Sequence, residues 1–155
     1  MVRVMYSTYR RAVLLSSMLP FDEKLRAEKA FSQHGCVSVY SHSVSVALLS
    51  LYIAERLNLN VDKSSLVRGA LLHDYFLYDW HEKDESHRWH GFIHAERALA
   101  NAVRDFCLNP IERDIIRKHM FPLNITLPRY RESVIVTCAD KMVAFYETFF
   151  RRSLR

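Results

Sequence analysis

Glycine and proline punctuate this chain sparsely, with three Gly and four Pro in 155 residues. An all-β sandwich or barrel needs many tight turns, and tight turns draw on those two residues. The apolar residues instead recur at three- and four-residue spacings, the period of a helix buried on one face. Half of the residues are apolar, which is enough for a core at this length and too many for a disordered chain. The expected fold is all-α: one domain over residues 1–155 with six or seven helices. Residues 1–31 form its N-terminal helices and 32–150 its main body.

The first helix is expected over residues 7–19, stopping at Pro20. Asp22 caps a second through about residue 31, and Gln33 to Cys36 reads as irregular. The third spans 40–57, where His42, Val46, Leu49, Ile53 and Leu57 share one apolar face. Asp62 caps a fourth, with Leu66, Ala70 and His73 as its buried stripe. Residues 79–91 form a polar insertion with three His and two Trp. A fifth helix over 92–106 turns Ala95, Ala98, Leu99, Ala102 and Val103 inward. Asn109, Pro110 and Glu112 then supply the cap, first position and third position of a sixth helix, which ends near His119. The last helix, 130–151, carries Val134, Cys138, Met142, Phe145 and Phe149 on one side. With Phe150 that stripe reads as core, ahead of a dimer seam. No strand is expected.

The net charge of +5 collects at the chain ends, at Arg3, Arg10 and Arg11 and at Arg151, Arg152 and Arg155. Such ends read first as solvated termini, so nucleic acid is not the expected partner. The apolar run near the start, Ala12 to Leu15, is four residues long and no small-residue cleavage site follows it. No run approaches the ~20 residues of a membrane span. Cys36, Cys107 and Cys138 are odd in number and match no metal knuckle. Free thiols in a reducing cytoplasm are the expectation.

The chemistry lies in the histidines, eight in all. His73-Asp74 ends a buried helix, His42 sits on an apolar face, and Asp140 lies inside the last helix. A buried carboxylate is costly without a cation or strong donors. One metal ion would satisfy His42, His73, Asp74 and Asp140 together. Imidazole with carboxylate suits iron, manganese, cobalt, nickel or zinc.

The run His42-Ser43-Val44-Ser45-Val46-Ala47, then Arg68-Gly69-Ala70-Leu71-Leu72-His73-Asp74, then Cys138-Ala139-Asp140-Lys141-Met142 resembles the HD-domain superfamily of metal-dependent phosphohydrolases. The likeness covers about residues 32–147. It implies that His42, His73, Asp74 and Asp140 hold a first metal. It further implies a second ion held by His94 and His119, with Asp74 bridging the two. His94-Ala95-Glu96-Arg97-Ala98 departs from the family's segment by Ala in place of both Pro and Gly. His90, four residues earlier, competes with His94 for the ligand role.

The resemblance implies hydrolysis of a phosphate ester or phosphoanhydride of a nucleotide-like small molecule, by a metal-activated water. Asp79 and His81 are candidates for a general acid over the metals, weighed against a self-stabilising polar loop. His34, His90, Arg97, Lys118 and Lys141 are candidate substrate contacts. A non-catalytic module that senses a nucleotide or acts as a scaffold is the alternative. A homodimer is compatible with the sequence.

Overall fold

The computed structural model describes residues 2–16, 22–30, 32–34, 37–75 and 90–149. Helices dominate: α1 Val2–Leu15, α2 Glu23–Arg26, α3 Val39–Arg56, α4 Lys63–Leu72, α5 His90–Asp105, α6 Pro110–Lys118 and α7 Arg131–Phe149. The protein is all-α, as expected. Among the described residues no helix is long and apolar enough to cross a membrane.

Local chemistry sets the helix starts. The Asp62 carboxylate accepts from the amides of Ser64 at 3.0 Å and Ser65 at 3.1 Å, opening α4. Asn109 and Glu112 exchange bonds at 2.9 and 3.0 Å, closing a capping box behind Pro110. Ser38 caps α3 by accepting from the Ser41 amide. Leu57 closes that helix, and Asn58 after it turns the chain with a φ of 48°, where Asn is tolerated.

Four boundaries differ from the sequence reading. α1 begins at Val2, five residues early, and ends at Leu15, four residues before the expected stop. The second helix shortens to one turn of α-helix followed by a 3₁₀ turn over Ala27–Ala30. Gln33 and His34, read as irregular, belong to β1, Ser32–His34, which pairs antiparallel with β2, Val37–Ser38. α5 starts at His90, so His90 is its first residue. Two faces also differ: Val103 points outward, and so does the Val134–Phe149 stripe of α7. α7 instead buries Ser133, Val136, Thr137, Ala139, Asp140 and Glu147.

α4 is the centre, packed by α3, α6, α7 and α1. Its Leu66, Val67, Ala70 and Leu72 are fully buried. Arg68 extends from it to the buried Glu112 at 2.7 Å, tying α4 to the start of α6. Asp114 of α6 accepts from the Arg129 amide at 2.9 Å and the Ser133 hydroxyl at 2.7 Å, fixing the start of α7. Gly69 lets α4 and α6 approach closely. A Cβ there would meet Ile115 Cδ1 at 2.5 Å, Cβ at 3.0 Å and Cγ2 at 3.1 Å. The Cδ1 can swing away, Cγ2 moves only if χ1 leaves the rotamer that a helix favours for Ile, and Cβ moves only with the α6 backbone. Gly69→Ala gains about 1 kcal/mol of helix propensity and loses about 1–3 kcal/mol to overpacking. A net loss is expected, read as a lower urea midpoint with an unchanged slope.

Candidate metal centre

Three helices and the ends of two more deliver the polar residues to one buried point. α3 brings His42, α5 brings His94, and α7 brings Asp140 and Glu147. His73 and His119 are the residues that close α4 and α6, and Asp74 follows His73. The two closing histidines use the same device. Each donates its Nδ1–H to the carbonyl three residues back, His73 to Ala70 at 2.7 Å and His119 to Ile116 at 2.8 Å. This satisfies a carbonyl that the helix end leaves open. It also sets the tautomer, so each Nε2 of a neutral ring presents a lone pair to the interior.

Those lone pairs meet acceptors. His73 Nε2 lies 3.3 Å from Asp74 Oδ2 and 3.6 Å from Asp140 Oδ1. Among the described residues it is a buried nitrogen without a hydrogen bond. His119 Nε2 and His94 Nε2 both lie 3.3 Å from the other Asp74 oxygen, Oδ1, and 2.9 Å from each other. Asp74 thus divides its carboxylate between two clusters, one with His42 and His73 and one with His94 and His119. Within each cluster the ligand atoms lie inside 4.8 Å of one another. Lone pairs converging on carboxylates are an unfavourable arrangement for neutral imidazoles, and a cation between them reverses its sign. The donor set therefore fits a divalent metal, of a kind that accepts nitrogen and oxygen ligands.

His42 is held from both sides. Its Nε2 contacts Asp140 Oδ1 at 3.0 Å and its Nδ1 contacts Glu147 Oε2 at 2.8 Å. Burial lowers its pKa, but the two carboxylates outweigh this and raise it to about 9. His73 behaves likewise: burial opposes its charge, and Asp74 and Asp140 hold it well above the ordinary value. Burial keeps His119 below its ordinary value despite Asp74, so its ring stays neutral. Burial opposes the charge on Asp74, and the surrounding imidazoles, His73 foremost, still hold it well down.

The residues singled out in the sequence divide into three groups. His42, His73, Asp74, His94, His119 and Asp140 come together, all buried. Lys141 lies beside them, with its ammonium donating to the His119 carbonyl at 3.0 Å. Lys118 pairs at 2.6 Å with Asp114, one helical turn earlier on α6, a spacing that the sequence offered but that was not used in reading Lys118 as a substrate contact. Arg97 lies half-buried on α5, one turn after His94. Asp79 and His81 lie outside the described residues, as do the side chains of His34 and His90. Glu147 was not foreseen. It stands two helical turns beyond Asp140 on the same face, a seven-residue spacing that offered a signal.

The family profile described as HD domain matches residues 39–144. The chain belongs to the HD-domain family. Curated relatives of this HD domain are similar over most of its length. Ribonuclease Y of Pseudothermotoga lettingae is 32% identical over 140 residues, covering 85% of this chain and 24% of the relative. Ribonuclease Y of Thermotoga petrophila is 33% identical over 131 residues, covering 84% and 22%. The Thermotoga maritima protein of the same name gives the same figures. The HD domain described here therefore spans under a quarter of the length of these relatives. No solved structure matches the chain.

Proposed function

We propose that the chain is a metal-dependent phosphohydrolase that cleaves a phosphate ester or phosphoanhydride of a nucleotide-like substrate. The division of the Asp74 carboxylate between two histidine clusters carries this reading. On it, His42, His73, Asp74 and Asp140 hold one divalent ion, and Asp74, His94 and His119 hold a second. Bound there, the ions supply Lewis acidity and lower the pKa of water toward neutrality. The chain's own part is orientation. The Ala70 and Ile116 carbonyls keep the His73 and His119 rings in one tautomer. The buried walls exclude bulk water, which strengthens every charge interaction inside. Lys141 adds positive charge where α6 ends, to the benefit of an anionic substrate. Asp79 and His81 are proposed as proton donors, and His34, His90, Arg97 and Lys118 as further substrate contacts. The exposed thiols of Cys107 and Cys138 are free, in keeping with a cytoplasmic setting.

A second reading, cleavage of a phosphodiester within RNA, draws on the name Ribonuclease Y carried by the matched relatives. The net charge of +5 favours it as well. The test is a panel of nucleoside phosphates and an end-labelled RNA, each assayed with manganese, iron or zinc and with chelator. Hydrolysis that chelation abolishes and salt barely changes supports the small-molecule reading. RNA cleavage whose binding falls steeply with salt favours the second. No turnover with any metal leaves the non-catalytic sensor or scaffold.

Glu147 gives a separate prediction. Its bond to His42 Nδ1 orients the ring that faces Asp140. Glu147→Ala is expected to weaken metal binding about 10–100-fold, with Glu147→Gln closer to wild type. Calorimetric titration of the metal-free protein with manganese reads this directly. Equal affinities would remove Glu147 from the centre.

A further inference from the structure

The face that α7 turns to solvent is apolar. Met142 is 56% exposed, Phe145 59% and Phe149 60%, with Val134, Cys138 and Tyr146 on the same side. From Cys138 the spacing runs four, three, four residues, the register in which one helix seats its side chains into a facing helix. The Phe145 and Phe149 rings lie 4.6 Å apart and form one broad knob. Beside them, between α3 and α7, is a cavity of about 450 Å3 lined by Ser45, Leu49, Met142, Val143, Tyr146 and Glu147. Between residues 133 and 149 the exposed positions carry one charge, Lys141, and its ammonium already serves the His119 carbonyl. A strongly charged partner finds little to pair with here.

We infer that this face binds a second copy of the chain, α7 against α7 about a twofold axis. The phenylalanine pair of each copy then meets the cavity of the other. A twofold contact requires one surface to be complementary to itself, and a surface bearing both a knob and a hole meets that requirement. The area also fits. Three aromatic rings, each more than half exposed, together with Met142 and Val134, present on the order of 500 Å2 per copy. Two such faces bury about 1,000 Å2, the size at which a specific interface begins. A single apolar patch of this extent is at the upper range for a protein that stays monomeric.

The inference is independent of the proposed hydrolysis. It is tested by sedimentation of the full chain between about 1 and 100 µM, where contacts of this size associate. Wild type is expected at twice 18.3 kDa, and Phe145→Glu and Met142→Lys at the single-chain mass with unchanged helicity. Ile125→Glu, in the loop before α7 and 90% exposed, serves as a control and stays dimeric. Where Phe145→Glu loses helicity, Met142→Lys decides. A wild-type chain that remains at the single mass throughout overturns the inference. So does growth beyond two copies, or a folded Phe145→Glu that still pairs.

Discussion

Asp74→Asn is expected to empty the centre of bound metal and to lower the proposed hydrolysis at least ~10³-fold, the loss that accompanies removal of a metal's charge stabilisation. The substitution keeps the volume and removes the charge. Two clusters depend on that charge, because Oδ2 serves His73 and Oδ1 serves His94 and His119. An amide offers one oxygen and one NH2, so it can face one cluster with an acceptor and must face the other with a donor. Elemental analysis after purification without added metal reads the result. About two ions per wild-type chain and fewer than about one in ten for the variant are expected for a shared ligand. About one ion per wild-type chain would assign His94 and His119 to substrate instead. A variant that keeps both its metal and its rate would remove Asp74 from the mechanism. The change also lowers thermal stability with metal present, by about 4 kcal/mol at a thousandfold excess over the dissociation constant.

The metal-free protein is expected to lose stability as pH rises from about 6.5 to 9. The folded pKa of His42 is about 9, above its ordinary 6.5. A base whose folded pKa is raised contributes stability that is complete below the unfolded value and is lost as pH climbs through the folded one. His73 is raised as well and acts with the same sign. Asp74 and Asp140 are lowered, so their contribution falls away only in acid, far from this window. His119 is lowered, and its penalty for staying neutral is felt below about pH 6.5. His42, His73 and the carboxylates share the same contacts, so their effects do not add. The loss is on the order of 2–3 kcal/mol. Urea midpoints in chelator at pH 6.5 and 9.5 measure it. Metal reverses the trend, because coordination needs neutral imidazole and competes better as pH rises. A metal-free midpoint that is flat or rises with pH would contradict this account of the charges.

The two predictions share a cause. Without metal, protons on His42 and His73 balance the carboxylates. With metal, the ion takes their place. The centre therefore costs the fold an array of buried charges that only a cation, proton or metal, can settle.

Much of this was legible from residue order, because the signals are local. Asp62 and Asn109 announce helix starts through bonds to amides two and three residues on. His73 and Asp74 are adjacent and close a helix whose apolar stripe is plain. His42 and Asp140 stand out as polar groups within apolar helical patterns. Glu147 was missed because its partner, His42, lies 105 residues away. The short β1–β2 pair was missed because five residues make no periodic pattern.

The last helix shows the limit most clearly. Its sequence alone determined an apolar stripe through Met142, Phe145 and Phe149 and, off that stripe, Asp140; Glu147 shares the Asp140 face with Val136 and Ala139. Hydrophobicity predicts the apolar face inside. The tertiary structure decided the opposite, because His42 and His73 on neighbouring helices require carboxylates opposite them. Periodicity fixes the angle between two faces of a helix, and the direction in which they point depends on what the neighbouring helices present.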